Sequence, residues 1–536
     1  MKTDSTPLRQ NGEPFNGVND SSFASQASNG GSSPGFRIEW SDESKRVTRM
    51  AGLAYFAQYL RATGLFEHLV ESCPLAYQSN NAPDKRDVLG TLLLSVLSGQ
   101  TRYAHISALS QGHLDAQMLE MCTIPSEDSI RGALSKLVRA VQAPDENRAS
   151  SSLWLDACFE QLSGNVLDVP WVLDVDVTVK PLYGKQEGAV LGYNPSKPGR
   201  PSHAYHSFWV GRLRLCLDVQ VRPGNETAGS FGLGRLIDWL RRRPAGLLPE
   251  FVRGDIGYGT QTWMLELEAL GIAYLFKLKQ TRLVKELIEI CQLQGEWATG
   301  LNRWQYCESR LQLGGWTCER RVVVYRRAHQ RKSSAQTRAV TTLPGRTEQT
   351  ELLPLEIMEE GSLSYEYAIY VTSLDKPAAD IRSLYNPRGD NENGYDELKN
   401  QWGWGGFTLK DLARSELMAR LIALIYNWWS LFTKLVDEQV AREAITSRPM
   451  LLMHTAKVST HQSIQTLVIF CAHAQAEQIR EKLEAAAQRL SYWASLTAEQ
   501  LKARPVLRRI IDHILLHHHT VGAGKNRAPP KITAQP

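Results

Sequence analysis

Two groups of residues in this sequence have types and spacings suited to chemistry. The first is acidic. Asp174 and Asp176 stand two apart, and Asp255 closes the run Phe251-Val252-Arg253-Gly254-Asp255. On an extended strand two carboxylates at i and i+2 point to the same side about 7 Å apart. In a cleft they repel unless a cation lies between or beside them. The second group is Arg388, Glu392, Tyr395 and Lys399. At about 100° per residue these positions share one narrow helical stripe. A buried helix normally puts aliphatic residues on such a stripe; this one carries a guanidinium, a carboxylate, a phenol and an ammonium. Two readings stay open here: a solvated helix with internal ion pairs, or a helix whose charged stripe serves a site.

The elements that must position these groups are legible from periodicity. Trp171, Leu173, Val175, Val177 and Val179 alternate with Val172, Asp174, Asp176 and Thr178, which predicts a strand, either central or an exposed edge. A Gly/Pro-rich loop over 183–202 carries Lys185, Lys197 and Arg200 and has a phosphate-seeking character. Strands are expected at 205–210 and 212–222, a helix at 233–243, then a strand ending in Asp255, a helix at 261–270 and a strand at 272–279. In open α/β sheets ligands bind at such strand ends. A hairpin with a Gly314-Gly315 turn and a strand at 367–374 follow. Arg320, Arg321, Arg326, Arg327, Arg331 and Lys332 on this insertion suit either a polyanion or a solvated edge, and Trp316 either a base stack or the core. Asn386 and Pro387 read as a helix start, 412–436 as a long apolar helix and 464–520 as further helix. The triplet His517-His518-His519 reads as surface, because sequence neighbours do not share a helix face.

Composition sets the frame. The chain has 536 residues with 43% hydrophobic content, enough for two to four modules with real cores. Its formal charge of +5 is weak support for a nucleic-acid partner. Eight scattered cysteines lack zinc-site spacing and suggest free thiols. There is no signal-peptide core and no apolar run fit to span a bilayer, so a soluble, cytoplasmic protein is expected. From 52 to 142 the apolar spacing is helical. Arg102, Tyr103, His105, Arg131 and Lys136 in this module are candidates for DNA contact, with simple packing or dimerisation as the alternative.

Tyr385, Arg388, Glu392 and Lys399, with two, three and six residues between them, resemble the Tyr-Arg-Glu-Lys signature of bacterial insertion-sequence transposases of the Asp-Asp-Glu type. The segment from Asp174-Val175-Asp176-Val177-Thr178 through the basic loop is similar to the same region of that group, and within it to the insertion sequence thirteen-eighty family. The resemblance implies an α/β chain: a ribonuclease-H-like catalytic core with an inserted β-rich subdomain, flanked by N-terminal and C-terminal helical regions. Asp176, Asp255 and Glu392 would be the catalytic metal ligands, with Asp174 the rival of Asp176. They would hold two Mg²⁺ ions, for which Mn²⁺ substitutes. Tyr385, Arg388 and Lys399, with Lys185, Lys197 and Arg200, would bind DNA.

The implied layout is a tail at 1–40, a helical end-binding or dimerisation domain at 45–145, core segments at 165–279 and 366–436 around an insertion at 280–365, a helical region at 437–520 and a basic tail at 521–536. The implied partners are double-stranded DNA, as terminal inverted repeats and target, and a second copy of the chain in a synaptic homodimer. The implied activity is metal-dependent strand cleavage and strand transfer. A transposase-derived DNA binder that no longer cuts, and a metal-free hydrolase with paired carboxylates, are the alternatives.

Overall fold

The computed structural model describes residues 43–109, 112–142, 150–164, 167–195, 197–226, 228, 233–329, 364–497 and 505–518; within these, the side chains of 139–142, 150–151, 329, 364 and 390–392 are not described. The tails at 1–40 and 521–536, and Arg331 and Lys332, lie outside the described residues.

A short strand β1 (Val47–Thr48) precedes helices α1 (Leu53–Thr63), α2 (Leu65–Glu71), α3 (Lys85–Leu97), α4 (His113–Met118), α5 (Glu127–Gln142) and α6 (Ser150–Ser163). Strands β2 (Val172–Pro181), β3 (Ser202–Val210) and β4 (Leu215–Pro223) follow, then α7 (Leu233–Arg241), β5 (Phe251–Gly254), α8 (Gln261–Ala269), β6 (Ala273–Lys277) and α9 (Arg282–Gln294). Strands β7 (Ala298–Thr299), β8 (Gln305–Leu311), β9 (Arg320–His329) and β10 (Ser364–Thr372) lead to α10 (Ala378–Tyr385), a 3-10 turn over Asn386–Arg388, α11 (Gly389–Asn400), α12 (Leu412–Val436) and α13 (Ala444–Leu451). The described chain ends with β11 (Thr455–His461), β12 (Ile464–Phe470), α14 (Ala476–Ser495) and α15 (Val506–His517).

Nine strands form one mixed sheet in the order β4-β3-β2-β5-β6-β10-β9-β8-β7. Strand β2 pairs antiparallel with β3 and parallel with β5, and β5 pairs parallel with β6 through α8. The strand bearing Asp174 and Asp176 is therefore central, which excludes the exposed-edge reading. The strands at 298–329, expected in the insertion, continue the same sheet through β10: β10 pairs antiparallel with β6, and β9 with β10. Continuing the ladder satisfies the backbone groups that β6 would otherwise expose as an edge.

The sheet packs on α12, whose side chains are buried nearly all round, as its mostly apolar sequence from Leu417 to Val436 requires. Asp411 caps it by accepting from the Arg414 amide at 2.8 Å. The Asn427 side chain of α12 accepts from the Cys216 amide at 2.9 Å and donates to the Cys216 carbonyl at 2.7 Å, so an amide side chain stands in for a strand partner on the edge strand β4. Residues from α1, α3, α5, α14 and α15 share one apolar core with α12. Residues 464–470, expected as helix, are strand β12. They pair with β11 across a two-residue turn, Gln462 and Ser463, with φ of 47° and 66°. No helix among the described residues is long and apolar enough to cross a membrane.

The segment around Arg388 departs from expectation. The helix does not begin at Asn386, which has φ −54° and ψ −39° inside a continuing helical path; it begins at Ala378, after Pro377. Pro387 lacks the N–H for an i→i−4 bond, so the path tightens into a 3-10 turn there instead of starting anew.

Candidate active site

Register builds the site. In the parallel pairing of β2 with β5, Asp174 lies opposite Arg253 and Val175 opposite Gly254. One step further, where β5 has ended, the same register brings Asp176 level with Asp255. The strands thus carry two rows of charge on one face. In the first row unlike charges meet: Arg253 donates from Nε to Asp174 Oδ1 at 2.5 Å and from Nη2 to Oδ2 at 2.7 Å. Both side chains are almost fully buried, at 4% and 2% exposure. In the second row two carboxylates stand side by side and need a cation from elsewhere in the fold.

Arg388 supplies it. Its Nη2 donates to Asp176 Oδ2 at 2.6 Å and lies 4.0 Å from Asp255 Oδ2. Arg388 is 8% exposed, Asp176 15% and Asp255 41%. The first row helps to aim the second: Arg253 Nη1 donates to the Leu384 carbonyl at 2.6 Å, four residues before Arg388. Asp255 also accepts from the Gly257 amide at 3.0 Å, which fixes the turn after β5.

Three buried tyrosines surround the cluster. Burial pushes the phenols of Tyr258, Tyr385 and Tyr395 up, and neighbouring Asp176 raises each further, so all three stay protonated at neutral pH. Burial opposes the charged form of Arg388, but Asp176, Tyr385 and Asp255 outweigh it and its pKa is raised. Tyr258 was missed in the sequence. Its signal was Gly254, where an added Cβ would come within 2.8 Å of the Tyr258 ring.

The other expected site residues fall into three sets. Tyr385 lies in the core, its ring 4.7 Å from that of Tyr370, so it lines the carboxylate cluster from within and does not stand on an open DNA-facing surface. On α11, Tyr395 is buried edge-on to Trp209 and accepts from Ser207 Oγ at 3.2 Å. Glu392 lies between Arg388 and Tyr395 on the helix backbone, but its side chain is outside the described residues. Lys399 is half-buried at the far end. A solvated helix with only internal pairs is excluded, because Arg388 and Tyr395 are both buried.

The basic loop leaves β2 five residues beyond Asp176. Lys185, Lys197 and Arg200 are exposed. Exposed Tyr183 gathers two of them: Lys197 Nζ donates to its hydroxyl, and Lys197 and Arg200 lie 5.2 and 4.5 Å from its ring centroid. Exposed Tyr193 adds a second aromatic surface. The loop is tied down by Glu187, whose carboxylate accepts from the Leu412 amide at 3.0 Å at the start of α12.

The basic residues of the extended sheet have structural partners instead of an open face. Arg320 donates to Glu268 and to the Tyr274 hydroxyl; Arg321 pairs with Glu308, Arg327 with Glu366, and Arg326 stacks on Trp297. Trp316 is buried in the core, not displayed for stacking. In the N-terminal module Arg131 and Lys136 sit over the rings of Tyr103 and Tyr77, and Tyr103 is buried.

The donor set of Asp176 and Asp255 is hard oxygen, adjacent and partly exposed, which fits Mg²⁺ in preference to softer ions. Among solved structures, a piggyBac transposase synaptic complex with hairpin DNA is similar at 10% identity, covering 89% of this chain and 87% of that chain, with a TM-score of 0.37. No curated protein matches the chain. The family model for transposase DDE domain group 1 matches residues 34–492, most of the sequence, and the chain belongs to that family.

Proposed function

We propose that this protein binds the terminal inverted repeats of an insertion sequence and catalyses metal-dependent DNA strand cleavage and strand transfer, with Asp176, Asp255 and Glu392 as the catalytic carboxylates. One observation carries the reading: the parallel register that sets Asp176 beside Asp255 at the mouth of the sheet, with Arg388 reaching in from the segment that leads to Glu392. Two like charges held together at strand ends cost stability and need a function to retain them. The strand order β4-β3-β2-β5-β6, with β3 alone antiparallel to its neighbours in that set, supports a ribonuclease-H-like core. Family membership supports the transposase class. The Tyr-Arg-Glu-Lys spacing is the ground for the finer insertion sequence thirteen-eighty assignment.

Bound Mg²⁺ would be held by Asp176, Asp255 and Glu392 and would supply charge stabilisation of the attacking and leaving oxygens at phosphorus. The protein's own groups do the rest. Arg388 neutralises the carboxylate pair before DNA arrives and is placed to turn toward a scissile phosphate. The protonated phenols of Tyr258, Tyr385 and Tyr395 add no negative charge to a site that must accept a polyanion. Lys185, Lys197, Arg200 and Lys399 contact phosphates, while Tyr183 holds two of these cations in place. The complex that cuts is a dimer of this chain on two transposon ends.

The test is a nicking and strand-transfer assay on DNA ending in the inverted repeats that flank the gene, with Mg²⁺ or with chelator. Nicking at the repeat ends that requires Mg²⁺ and is lost in Asp176→Asn and Asp255→Asn is expected. Binding without nicking in any divalent ion would assign the chain to DNA binders that no longer cut, and nicking that survives chelator would remove the metal role.

A further inference from the structure

A second, chemically different cluster lies far along the chain from the carboxylates. His513 and His517 are four residues apart on α15, so both imidazoles stand on one face of the helix. Glu438, two residues past the end of α12, meets them there. One ligand atom from each of the three lies within 4.8 Å of the others. From the geometry we infer that Glu438, His513 and His517 form a binding site for one late first-row divalent ion, with Zn²⁺ as its representative.

The orientation of each ring suits this role. His517 Nδ1 lies 2.8 Å from the His513 carbonyl, so it carries the proton and donates, leaving Nε2 as a lone-pair donor. His513 is held edge-on by Trp493 of α14, with ring centroids 5.9 Å apart, and its Nε2 is aimed at Glu438 Oε1 at 2.8 Å. The two histidine rings are 4.2 Å apart between centroids. Arg489 holds the same Glu438 oxygen at 2.9 Å, and so orients the carboxylate from outside. Ligands on a tetrahedral zinc ion stand about 3.4 Å from one another, given bond lengths of about 2.0–2.2 Å. The ligand atoms here lie 2.8 to 4.8 Å apart, on either side of that spacing, so side-chain rotation must open the His513–Glu438 contact to admit the ion.

Two imidazoles and one carboxylate favour Zn²⁺, Co²⁺ or Ni²⁺ over Mg²⁺ and Ca²⁺, so this site and the Asp176/Asp255 pair would not compete for the same ion. Three protein ligands leave a fourth position for water on the side where His517 is exposed. The consequence is mechanical. An ion here ties the end of α12, the central helix of the core, to the last described helix α15. His518 cannot replace His517 in this arrangement, because its Nε2 faces the Lys434 carbonyl at 3.0 Å.

The experiment uses the untagged full-length chain after dialysis against chelator. Titration with Co²⁺ is expected to give the intense visible absorption of a tetrahedral site, at one equivalent, displaced by Zn²⁺ and not by excess Mg²⁺. His517→Ala, at an exposed position, should abolish that absorption and weaken Zn²⁺ binding by at least about tenfold. Glu438→Gln should weaken it as well, which keeps the test valid if one variant folds poorly. Zn²⁺ should raise the melting temperature of the wild type and not of His517→Ala. Asp176→Asn and His518→Ala should keep the cobalt spectrum. Absence of the tetrahedral band, its survival in His517→Ala, or its loss in Asp176→Asn or His518→Ala would overturn the assignment. None of these readouts depends on DNA cleavage.

Discussion

Strand β2 carries two aspartates two residues apart, each paired with an arginine, and the two pairs differ in nearly everything except composition. Asp174 and Arg253 face each other across adjacent strands in a bidentate contact that is sealed from solvent. Asp176 has another aspartate, Asp255, beside it just past the end of β5 and takes its arginine from a distant helical turn. In the first pair every charge is matched within the sheet, so it locks the sheet to the end of α10. In the second the sheet itself is short of positive charge, and the pair stays open at the strand ends. A sealed, internally matched pair is a structural device, whereas an open and unbalanced one is fit to exchange its cation for another.

The largest effect should separate the two pairs by activity. Asp176→Ala, Asp255→Ala and Glu392→Ala are each expected to abolish strand cleavage while inverted-repeat binding, measured by gel shift, stays near wild type. Full cleavage by Asp176→Ala would erase the distinction. Asp174→Ala should act on stability instead, because it leaves the Arg253 guanidinium buried without its carboxylate. Such a loss costs roughly 3–5 kcal/mol, to be read from denaturant unfolding.

Arg388 lies on the boundary between the two kinds of pair. The resemblance implies a DNA role for Arg388, and its buried contact with Asp176 gives it a structural partner as well. Arg388→Ala should destabilise the chain by roughly 1.5–3 kcal/mol in chelator. Added Mg²⁺ should recover much of the loss, since a divalent ion can supply the missing charge between the carboxylates. A deficit that ignores Mg²⁺ would place Arg388 with Arg253, as structure alone.

A third buried charge on β2 tests sealing without a counter-ion. Lys180 donates to the Gly406 carbonyl, and burial lowers its pKa to about 8. Because the folded value lies below the unfolded one, the folded state binds fewer protons between about pH 8 and 10.5. Wild-type stability should therefore rise with pH across that window relative to Lys180→Met, by about 1–3 kcal/mol. A difference between the two that stays flat across the window would show that Lys180 is not sealed. The smallest effect is expected at half-buried Lys399. Lys399→Ala should lower the salt slope of end binding by about one unit and cost at most about 1 kcal/mol of stability. A lower melting temperature with an unchanged salt slope would make Lys399 structural.

Much of the frame was legible because local patterns were strong. Alternation over 171–179 and the apolar run of 412–436 appear as expected, as β2 and α12; the two strands flanking Gly314-Gly315 pair as β8 and β9, but across a longer connection over 312–319 than a two-residue turn. The failures have identifiable causes. Asn386-Pro387 carries the chemistry of a helix start, yet packing keeps the preceding turns helical and proline only tightens the path. Residues 464–470 alternate too weakly to reveal β12 without knowledge of β11 as its partner. The arginines of β9 looked like a polyanion surface because their partners Glu268, Glu308 and Glu366 are distant or across strands.

By itself the sequence determined which residue types were present at chemically suggestive spacings: Asp174 and Asp176 on one strand face, Asp255 at a strand end, Arg388 and Tyr395 on one helical stripe. Those follow from periods of two and 3.6 residues, which are properties of the local backbone. The difference between the surroundings of Asp174 and Asp176 was not local. Only the parallel register of β2 on β5 sets Arg253 opposite one and Asp255 beside the other, and only the packing of the Arg388 turn brings the missing charge. Likewise, His517 read in the sequence only as part of a surface triplet; Glu438 joins His513 and His517 only because α12 and α15 end side by side. Electrostatic partnership depends on distance in space, and in this chain the decisive partners are separated by up to 212 residues.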